Sequence, residues 1–334
     1  MHQSPKVSVI MPVYNTSKYL NEALNSILNQ TFTDFEFIII DDASTDGSKE
    51  IIKSFTDERI ILIENELNKG YVFGLNYALS IARGELIARM DSDDISNMNR
   101  LEIQFNYLKE NQKIMLCGTY YELMNNKEII KHPVEHDDII KGLFWGSVFC
   151  HSSVMFRKSF LTQNMLLYNP KMEPSEDYDL WTRMVQIAGA KFANIPEILI
   201  SYRVHNQQVS QTKQFLQNRN SLKIRLSYLN WYLGPDNDMK LNIESFDQND
   251  LNYLLEIQLG LEKLINAELI INNGLKHVII ETIERINKYI IESPENFNLK
   301  SLSILLVKNK KVLLNQPKKE ILKYLIKVFF NKLF

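Results

Sequence analysis

The sequence predicts an α/β protein in which a mixed, mainly parallel β-sheet is covered by helices, with a helical extension at the carboxyl end. Short apolar runs alternate with segments whose apolar residues recur at helical spacing. Polar residues gather directly after those apolar runs. From Gln211 onward the composition changes to Leu, Ile, Asn and Lys, with few strand signals. We therefore expect an α/β domain over residues 1–210, a helical region over 211–316 and a distinct terminal segment over 317–334.

Near-continuous apolar strands are typical of parallel sheets buried on both faces. The first four predicted strands have this pattern and cover residues 7–13, 35–40, 60–63 and 84–90. Between them lie helical patterns, the first with Thr16 or Ser17 as a candidate cap. Further strands are predicted at 114–117, 119–123 and 151–157. The alternation of strand and helix predicts a parallel sheet for the first part of the chain.

Composition excludes several classes of protein. The 334 residues are 45% apolar and 23% charged, as in an ordinary globular protein, and a formal net charge of −2 carries no nucleic-acid signature. Two cysteines, Cys117 and Cys150, argue against a disulfide framework and fit a reducing cytosol. The first apolar run is too short for a signal peptide, and no run of 18 apolar residues occurs. We therefore expect a cytoplasmic protein without a membrane span.

An acidic cluster, Asp91, Asp93 and Asp94, follows the fourth predicted strand. In an extended backbone, alternate residues share a face, so Asp91 and Asp93 would point to one side, with Asp94 opposite or on the following turn. Oxygen ligands at this spacing suit Mg²⁺ or Mn²⁺. The alternative is a solvated Asp-rich turn, or caps for a helix that begins near Met98.

The polar residues after successive strands should converge on one edge of the sheet, because parallel strands end at the same edge. These residues are Tyr14 and Asn15, Asp41 and Asp42, Asn68 and Lys69, and Asp91 and Asp93. They supply acceptors, an aromatic ring and a cation site, which a nucleotide requires. The glycine-rich phosphate loops of dinucleotide-binding proteins and P-loop NTPases are absent. A diphosphate would then be neutralised by a metal on Asp91 and Asp93.

Four segments in this order resemble the signatures of family 2 glycosyltransferases of the GT-A fold, namely residues 7–15, 41–48, 68–70 and 90–94. The resemblance covers roughly residues 5 to 210. It implies a donor-binding set made of Pro12, Tyr14, Asn15, Asp42, Lys69, Asp91, Ser92 and Asp93. In it Asp42 would bond the uracil or ribose, and Asp91 and Asp93 would be the metal-binding DxD pair. Two alternatives stay open: Asp42 as a turn acceptor, and Lys69 as a solvated surface lysine.

Glu176 and Asp177 lie in an acidic turn that runs into a helical pattern. A helix amino end stabilises carboxylates, so simple capping is one interpretation. Inverting sugar transfer also needs a base for the acceptor hydroxyl. The family resemblance implies Asp177 as that base, and Glu176 then contacts the acceptor hydroxyl. Trp181 is either a core residue or a ring on which a sugar stacks.

Residues 202–210 again resemble the family, at the end of its catalytic domain. In this context His205 is a candidate ligand of the metal or contact of the diphosphate, and Arg203 is a candidate phosphate partner. The alternative for His205 is a structural role. The segment 176–210 is most similar to bacterial lipooligosaccharide β-1,3-N-acetylglucosaminyltransferases.

The last 35 residues, 300–334, hold nine lysines and one acidic residue, Glu320. On a helical wheel, residues 317–334 form a broad apolar stripe with Lys319, Lys323 and Lys327 outside it. This pattern is typical of an interfacial helix on anionic lipid. A helix packed on the preceding region, with solvated lysines, is the alternative.

Together these features predict an inverting, metal-dependent glycosyltransferase on the inner face of a bacterial inner membrane. It would use Mn²⁺ or Mg²⁺ and move a sugar, with GlcNAc as the first choice, from a UDP-sugar to a lipooligosaccharide or capsule-type glycan. UDP-Gal, UDP-Glc and UDP-GalNAc are alternative donors. A non-catalytic sugar-binding domain is a further alternative, against which intact Asp91, Asp93 and Asp177 argue. A nucleotidyltransferase is disfavoured because its glycine-rich amino-terminal loop is missing.

Overall fold

The computed structural model describes residues 4–206, 208–233 and 279–284. The chain divides into two compact units, Met1–Gln214 and Phe215–Phe334. The predicted terminal segment 317–334, and most of the predicted helical region 211–316, lie outside the described residues. None of the helices formed by the described residues combines the length and the apolar character that crossing a bilayer requires.

The first unit is built on a nine-stranded mixed sheet in the described part of the chain. Its strands are β1 (Val7–Val13), β2 (Phe35–Asp41), β3 (Ile60–Glu64), β4 (Leu86–Arg89), β5 (Ile95–Ser96), β6 (Ile114–Leu123), β7 (Ile129–Ile130), β8 (Met155–Arg157) and β9 (Lys191–Tyr202). The strand order is β3-β2-β1-β4-β8-β6-β9-β5, and β7 pairs with β6. Strands β1 to β4 are parallel, and β8 joins β4 and β6 as an antiparallel strand. The predicted mixed, mainly parallel α/β fold is confirmed.

Seven helices in the described part of this unit lie between strands along the chain, and an eighth follows β9. They are α1 (Ser17–Leu28), α2 (Ser48–Ser54), α3 (Tyr71–Ile81), α4 (Arg100–Glu110), α5 (His136–Gly142), α6 (Lys158–Gln163), α7 (Glu176–Val185) and α8 (Val209–Thr212). Helix α1 shows why the pattern predicts them, because its residues Leu20, Ala23, Leu24 and Ile27 are buried at helical spacing. Burying one such Leu or Ile side chain contributes about 1.5–3 kcal/mol. All seven residues of β2 are buried, as expected for a strand covered on both faces.

Three local predictions were wrong. Residues 114–123 form one strand, β6, and not two. Residues 151–157 begin with a single 3-10 turn, His151–Ser153, so only Met155–Arg157 is a strand. We call His151–Ser153 the bridging turn. The third concerns the cap of α1, because the Thr16 side chain accepts no hydrogen bond from the backbone amides of the first turn.

A neighbouring loop caps α1 instead. The hydroxyl of Ser48 accepts a hydrogen bond from the Thr16 amide at 3.0 Å, and the carboxylate of Asp46 accepts one from the Ser17 amide at 2.9 Å. Burial opposes the charged form of Asp46, but its hydrogen bonds with Ser48 and Ser17 outweigh this effect and hold its pKa below the usual value. Any nearby acceptor can bind the unpaired amides at a helix amino end. The acceptors of α1 come from a loop about 30 residues further along the chain, so the local sequence pattern does not indicate them.

The second unit is described for α9 (Gln214–Leu233) and for residues 279–284. Leu222, Leu226 and Leu229 are buried at helical spacing, whereas Tyr232 is 44% exposed. Arg225 is buried and pairs with Glu281 at 3.7 Å. This helix agrees with the predicted helical composition after Gln211.

Candidate active site

The parallel strands β1 to β4 end at one edge of the sheet, and the loops that follow them carry most of the predicted donor-side residues. Register pairs Val13 with Asp41 across β1 and β2, and Asp41 with Glu64 across β2 and β3. The next residue, Asp42, donates its backbone amide to the Val13 carbonyl at 2.9 Å. The strand ends are therefore aligned, and the loops after them meet at this edge.

The loop after β1 holds three of the predicted donor-binding residues. Pro12 is half-buried, whereas the ring of Tyr14 is 48% exposed. Asn15 has a φ of 51°, a left-handed conformation that Asn tolerates better than most residues. Its side-chain oxygen accepts a hydrogen bond from the Thr45 amide at 2.8 Å, which ties this loop to the loop after β2. An exposed ring beside a rigid loop gives a flat surface at the sheet edge.

Asp42 is buried and its carboxylate is occupied by the loop after β3. It accepts hydrogen bonds from the Asn65 amide nitrogen at 2.8 Å, the Lys69 backbone amide at 2.9 Å and the Gly70 backbone amide at 2.8 Å. Gly70 has a φ of 87°, which favours glycine at this turn. The role of Asp42 as a turn acceptor is thus realised, and its bond to uracil or ribose stays a prediction.

Lys69 is exposed, with its ammonium 4.8 Å from the centre of the Phe73 ring. This contact is a cation–π interaction on the surface of α3, worth about 0.5–1 kcal/mol at such a site. A long lysine side chain can leave such a contact, so the contact with Phe73 does not prevent Lys69 from binding a diphosphate. That role of Lys69 stays a prediction.

The acidic cluster comprises Asp91, Asp93 and Asp94, with one oxygen atom of each within 4.8 Å of the others. Of the two positions predicted for Asp94, the structure has the one on a turn, beside the other two carboxylates and not opposite them. Ser92, between them, is buried. Asp91 pairs with Arg89, and Asp93 lies 2.9 Å from the Nε2 atom of His205. Asp94 is 1% exposed and accepts a hydrogen bond from the Arg203 amide at 2.9 Å.

Three carboxylates at this distance repel one another. Burial, with the nearby charge of Asp91 added, raises the pKa of Asp93, and it raises that of Asp94 well above its usual value. The guanidinium of Arg89 supplies a compensating charge: burial opposes its protonated form, but Asp91 outweighs this and raises the pKa of Arg89. An additional cation beside the cluster would reduce the remaining repulsion.

The cluster fits a hard divalent cation. Carboxylate oxygens are the ligands that Mg²⁺ and Mn²⁺ prefer, and a histidine nitrogen is available beside them. The Nδ1 atom of His205 is buried and has no hydrogen-bond partner among the described residues. Asp91, Asp93 and His205 are thus brought together as predicted, and their role as metal ligands stays a prediction.

Arg203 is used within the protein. Its Nε atom donates to the Asp93 carbonyl at 2.8 Å and its Nη2 atom to Glu22 at 2.6 Å. The rings of Tyr19 and His205 lie 4.8 Å apart, and the guanidinium of Arg203 lies 4.7 Å from the Tyr19 ring. Helix α1 therefore holds the 203–205 segment against the acidic cluster. The predicted contact of Arg203 with phosphate remains untested.

The second acidic centre lies at the amino end of α7. Glu176 is 3% exposed, and its carboxylate accepts a hydrogen bond from the Tyr71 hydroxyl at 2.6 Å. The Ser147 hydroxyl donates to Asp177 at 3.3 Å. Burial, with the charge of Asp177 added, raises the pKa of Glu176 to about 8. Burial also raises the pKa of Asp177. Raised proton affinity is what a group that takes a proton from a hydroxyl requires.

Trp181 belongs to the core. It is 1% exposed, and its ring packs edge-on against Phe149 at 5.9 Å and His151 at 6.0 Å. The alternative in which a sugar stacks on this ring was wrong, because a ring with almost no exposed surface has no face to offer. The sequence alone does not distinguish these cases, since aromatic residues serve both purposes.

The bridging turn lies between the two acidic centres, and no pattern in the sequence indicates this position. Ser152 donates to Asp91 at 2.6 Å and also contacts Asp94. The preceding residue, His151, lies 3.8 Å from Glu176 through Nδ1 and 3.1 Å from the Tyr168 hydroxyl through Nε2. Burial holds the pKa of His151 well below its usual value, so the imidazole is neutral at pH 7. The local sequence of the bridging turn resembles a strand, so its position between the acidic centres is evident only from the long-range contacts in the structure.

Comparison with known proteins agrees with this geometry. The family model described as glycosyl transferase family 2 matches residues 8–165. An uncharacterised glycosyltransferase of Haemophilus influenzae is 31% identical over 311 residues, which cover 89% of this chain and 91% of that protein. The chain therefore belongs to glycosyltransferase family 2 and is a glycosyltransferase.

Two further proteins add detail. The Escherichia coli protein WfgD, named UDP-Glc:alpha-D-GlcNAc-diphosphoundecaprenol beta-1,3-glucosyltransferase, is 32% identical over 215 residues, or 62% of this chain and 80% of WfgD. The crystal structure of S. aureus TarS 1–349 in complex with UDP-GlcNAc superposes with a TM-score of 0.60 at 18% identity, covering 86% of this chain and 90% of that one. The fold is that of the GT-A glycosyltransferases.

Proposed function

We propose that this protein is an inverting, metal-dependent glycosyltransferase that moves a sugar from a UDP-sugar to a lipooligosaccharide or capsule-type glycan. One observation carries the proposal: two adjacent residues lie between the acidic cluster and the Glu176–Asp177 pair, with Ser152 hydrogen-bonded to Asp91 and His151 3.8 Å from the buried Glu176. Inverting transfer needs a site that neutralises the leaving diphosphate and a base for the acceptor. The two acidic centres have the chemistry for these two tasks.

Each residue would then have a defined part in the reaction. Asp177 takes the proton of the acceptor hydroxyl as that oxygen attacks the anomeric carbon, opposite the departing UDP. Glu176, held by Tyr71, accepts a hydrogen bond from the acceptor sugar. Asp91, Asp93 and His205 hold a divalent cation, which neutralises charge on the leaving diphosphate when bound. Tyr14 and Asn15 form the surface for the nucleoside.

The proposed donor is a UDP-sugar. A UDP-sugar is supported by the name of WfgD and by the TarS complex with UDP-GlcNAc. We take UDP-GlcNAc as the first donor to test, and UDP-Glc as the second because WfgD is named for it. UDP-Gal and UDP-GalNAc complete the set, since a few contacts of roughly 1 to 3 kcal/mol each distinguish such sugars.

The acceptor would be a glycan on a membrane lipid. WfgD, by its name, acts on a sugar linked to diphosphoundecaprenol. The basic segment 317–334 would bring this chain to the inner face of a bacterial membrane, although it lies outside the described residues. Deletion of residues 317–334 should move the protein from sedimenting anionic vesicles to the supernatant. Unchanged sedimentation would contradict the membrane part of the proposal alone.

The donor and the metal are tested together by thermal stability. The protein is heated with each of the four UDP-sugars, once with Mn²⁺ and once with EDTA. A ligand at 100 times its dissociation constant adds about 2.7 kcal/mol to the free energy of unfolding. We expect one UDP-sugar to raise the melting temperature with Mn²⁺ and to do so much less with EDTA. The Asp93→Asn variant is the matched control and should lose the difference between the two conditions. Equal stabilisation with EDTA would contradict metal dependence, and no stabilisation by any of them would contradict a UDP-sugar donor.

A further inference from the structure

The hydroxyl of Ser152 lies between two carboxylates of the acidic cluster. It is 61 positions from Asp91 and 58 positions from Asp94 in sequence, yet hydrogen-bonds to both. A hydroxyl has one proton, so it donates to one of them at a time while its lone pairs face the other. Ser152 therefore links Asp91 to Asp94, in addition to the contacts that Arg89 makes with Asp91 and the Arg203 amide with Asp94.

Ser152 itself is fixed by buried side chains from α4. Its carbonyl accepts a hydrogen bond from Nη1 of Arg100 at 2.7 Å, and Nη2 of Arg100 donates to the Arg89 carbonyl at 2.7 Å. Gln104, one turn further along α4, donates to the Ser153 carbonyl at 2.8 Å. Arg100, Gln104, Ser152 and Ser153 are all fully buried. The backbone of the bridging turn is thus held by buried side chains of α4, which places the Ser152 hydroxyl beside the acidic cluster.

The three carboxylates are not held alike. Both oxygens of Asp94 are engaged by the protein, Oδ1 by the Arg203 amide and Oδ2 by Ser152. In Asp91 the contacts with Ser152 and Arg89 fall on Oδ2. In Asp93 the contact with His205 also falls on Oδ2. Within the described residues, Oδ1 of Asp91 and of Asp93 has no hydrogen-bond donor, so each of these residues keeps an oxygen for a ligand.

We propose that Ser152 is a positioning residue for the acidic cluster. Its hydroxyl keeps Asp94 hydrogen-bonded within the protein and orients Asp91. As a result, Asp91 and Asp93 bind the cation and Asp94 does not. Hydrogen-bonding partners behind metal ligands are known to change metal affinity by about 10- to 100-fold when removed. The inference rests on the proposed function, since it assumes that the cluster takes a divalent cation. It adds a residue that no motif of the family identified.

The test measures binding of Mn²⁺ alone, without any sugar transfer. Free Mn²⁺ is followed by electron paramagnetic resonance in titrations of the full chain, first without and then with UDP. Ser152→Ala should weaken Mn²⁺ binding by about 10- to 100-fold. The matched control is Ser153→Ala in the same buried turn, whose hydroxyl donates to the Cys150 carbonyl at 2.9 Å. Ser153→Ala should bind Mn²⁺ like the wild type.

A second pair of variants separates ligands from anchors. Asp94→Asn should keep Mn²⁺ binding near that of the wild type, because an amide can still accept from the Arg203 amide and donate to the Ser152 hydroxyl. Asp93→Asn should lose it. Circular dichroism and melting temperature check that each variant folds. If Ser152→Ala does not fold, Ser152→Cys replaces it, since cysteine keeps the shape of serine but is a weak hydrogen-bond donor.

The outcomes are distinguishable. Equal Mn²⁺ affinity in wild type and Ser152→Ala overturns the inference and leaves the proposed function intact. The inference is also overturned if Ser153→Ala loses as much Mn²⁺ affinity as Ser152→Ala, or if Asp94→Asn loses as much as Asp93→Asn. A wild-type protein that binds no Mn²⁺, with or without UDP, overturns the metal dependence in the proposed function and the inference with it.

Discussion

The hydroxyl of Tyr71 donates a 2.6 Å hydrogen bond to the carboxylate of Glu176, although 105 positions separate the two residues. Tyr71 is the first residue of α3 and Glu176 the first of α7. The backbone just before Tyr71 is held by Asp42 through the amides of Lys69 and Gly70. A continuous set of contacts therefore connects the loop after β2, on the proposed donor side, with the carboxylates proposed to meet the acceptor.

Replacing Tyr71 by Phe should shift the pH dependence of transfer. Burial raises the pKa of Glu176 to about 8, and the Tyr71 hydrogen bond acts in the opposite direction. A hydrogen bond to a charged group is worth about 1.5–3 kcal/mol, and one pKa unit is about 1.36 kcal/mol. If transfer needs ionised Glu176, kcat/KM of the wild type rises as the pH passes through about 8. In Tyr71→Phe, the same rise should occur about one to two pH units higher. The pair Glu176 and Asp177 titrates together, so the profile reports both.

The control for this variant lies on the same helix. Tyr77 is 39% exposed, so Tyr77→Phe removes a hydroxyl without touching Glu176. Its pH profile should match that of the wild type. Identical profiles for all three proteins would refute a role for the Tyr71 hydroxyl in setting the charge of Glu176.

Glu176→Gln should stabilise the protein at high pH. The pKa of Glu176 is raised in the folded state, so the folded state binds more protons than the unfolded state between about pH 4.5 and about pH 8. The contribution of Glu176 to stability is therefore present below about pH 4.5 and is lost as the pH rises through about 8. We expect the variant to melt higher than the wild type at about pH 8.5, with a smaller or reversed difference at about pH 5. Glu197→Gln, at an exposed position, should show no such pH dependence.

Asp177→Asn should abolish transfer and spare donor binding. An amide cannot take the proton of the acceptor hydroxyl, and loss of a general base costs about 10²- to 10⁴-fold in rate. Asp177 contacts Ser147 and not the acidic cluster, so the dissociation constant of the UDP-sugar should stay close to that of the wild type. Calorimetry with the donor and a radiolabel transfer assay measure the two quantities. Parallel losses of binding and rate would argue against Asp177 as the base.

Asp42→Ala should destabilise the protein without any ligand present. Three hydrogen bonds end on this buried carboxylate, and each partly buried bond of this kind contributes about 0.5–1.5 kcal/mol. Denaturant unfolding should therefore show a loss of about 1.5–4.5 kcal/mol in the free energy of unfolding. Asp34→Ala is the control, because Asp34 is exposed and, among the described residues, its side chain accepts a single long bond of 3.4 Å, from the Lys6 amide. A stability equal to that of the wild type would show that the turn does not need Asp42.

The position of the proposed donor-side residues at one edge of the sheet was predictable because the information for it is local. Each strand of β1 to β4 is followed within a few residues by the polar group that it positions, as Asp91 follows Arg89 of β4. Parallel strands end at one edge, so strand order hardly matters for the prediction that these groups meet. The same logic accounts for Glu176 and Asp177, which a helix amino end identifies from the sequence alone.

The remaining contacts of the site depend on distant parts of the chain. Asp94 lies beside Ser152 only because β8 inserts between β4 and β6 as an antiparallel strand. Arg203 reaches Asp93 only because β9 pairs with β5. Tyr71 and Glu176 are likewise joined by tertiary packing, and no periodicity of a single sequence encodes such pairs. Their local sequences are equally compatible with ordinary turns and strands.

The acidic cluster is closed by residues from both ends of the domain: Glu22 and Tyr19 of α1 hold Arg203, and Arg203 holds Asp93 and Asp94. During synthesis, the four parallel strands and Asp91 leave the ribosome more than 100 residues before Arg203 and His205. The four parallel strands are therefore made while the proposed cation site still lacks His205. A nascent chain should complete that proposed site only after β9 has been made.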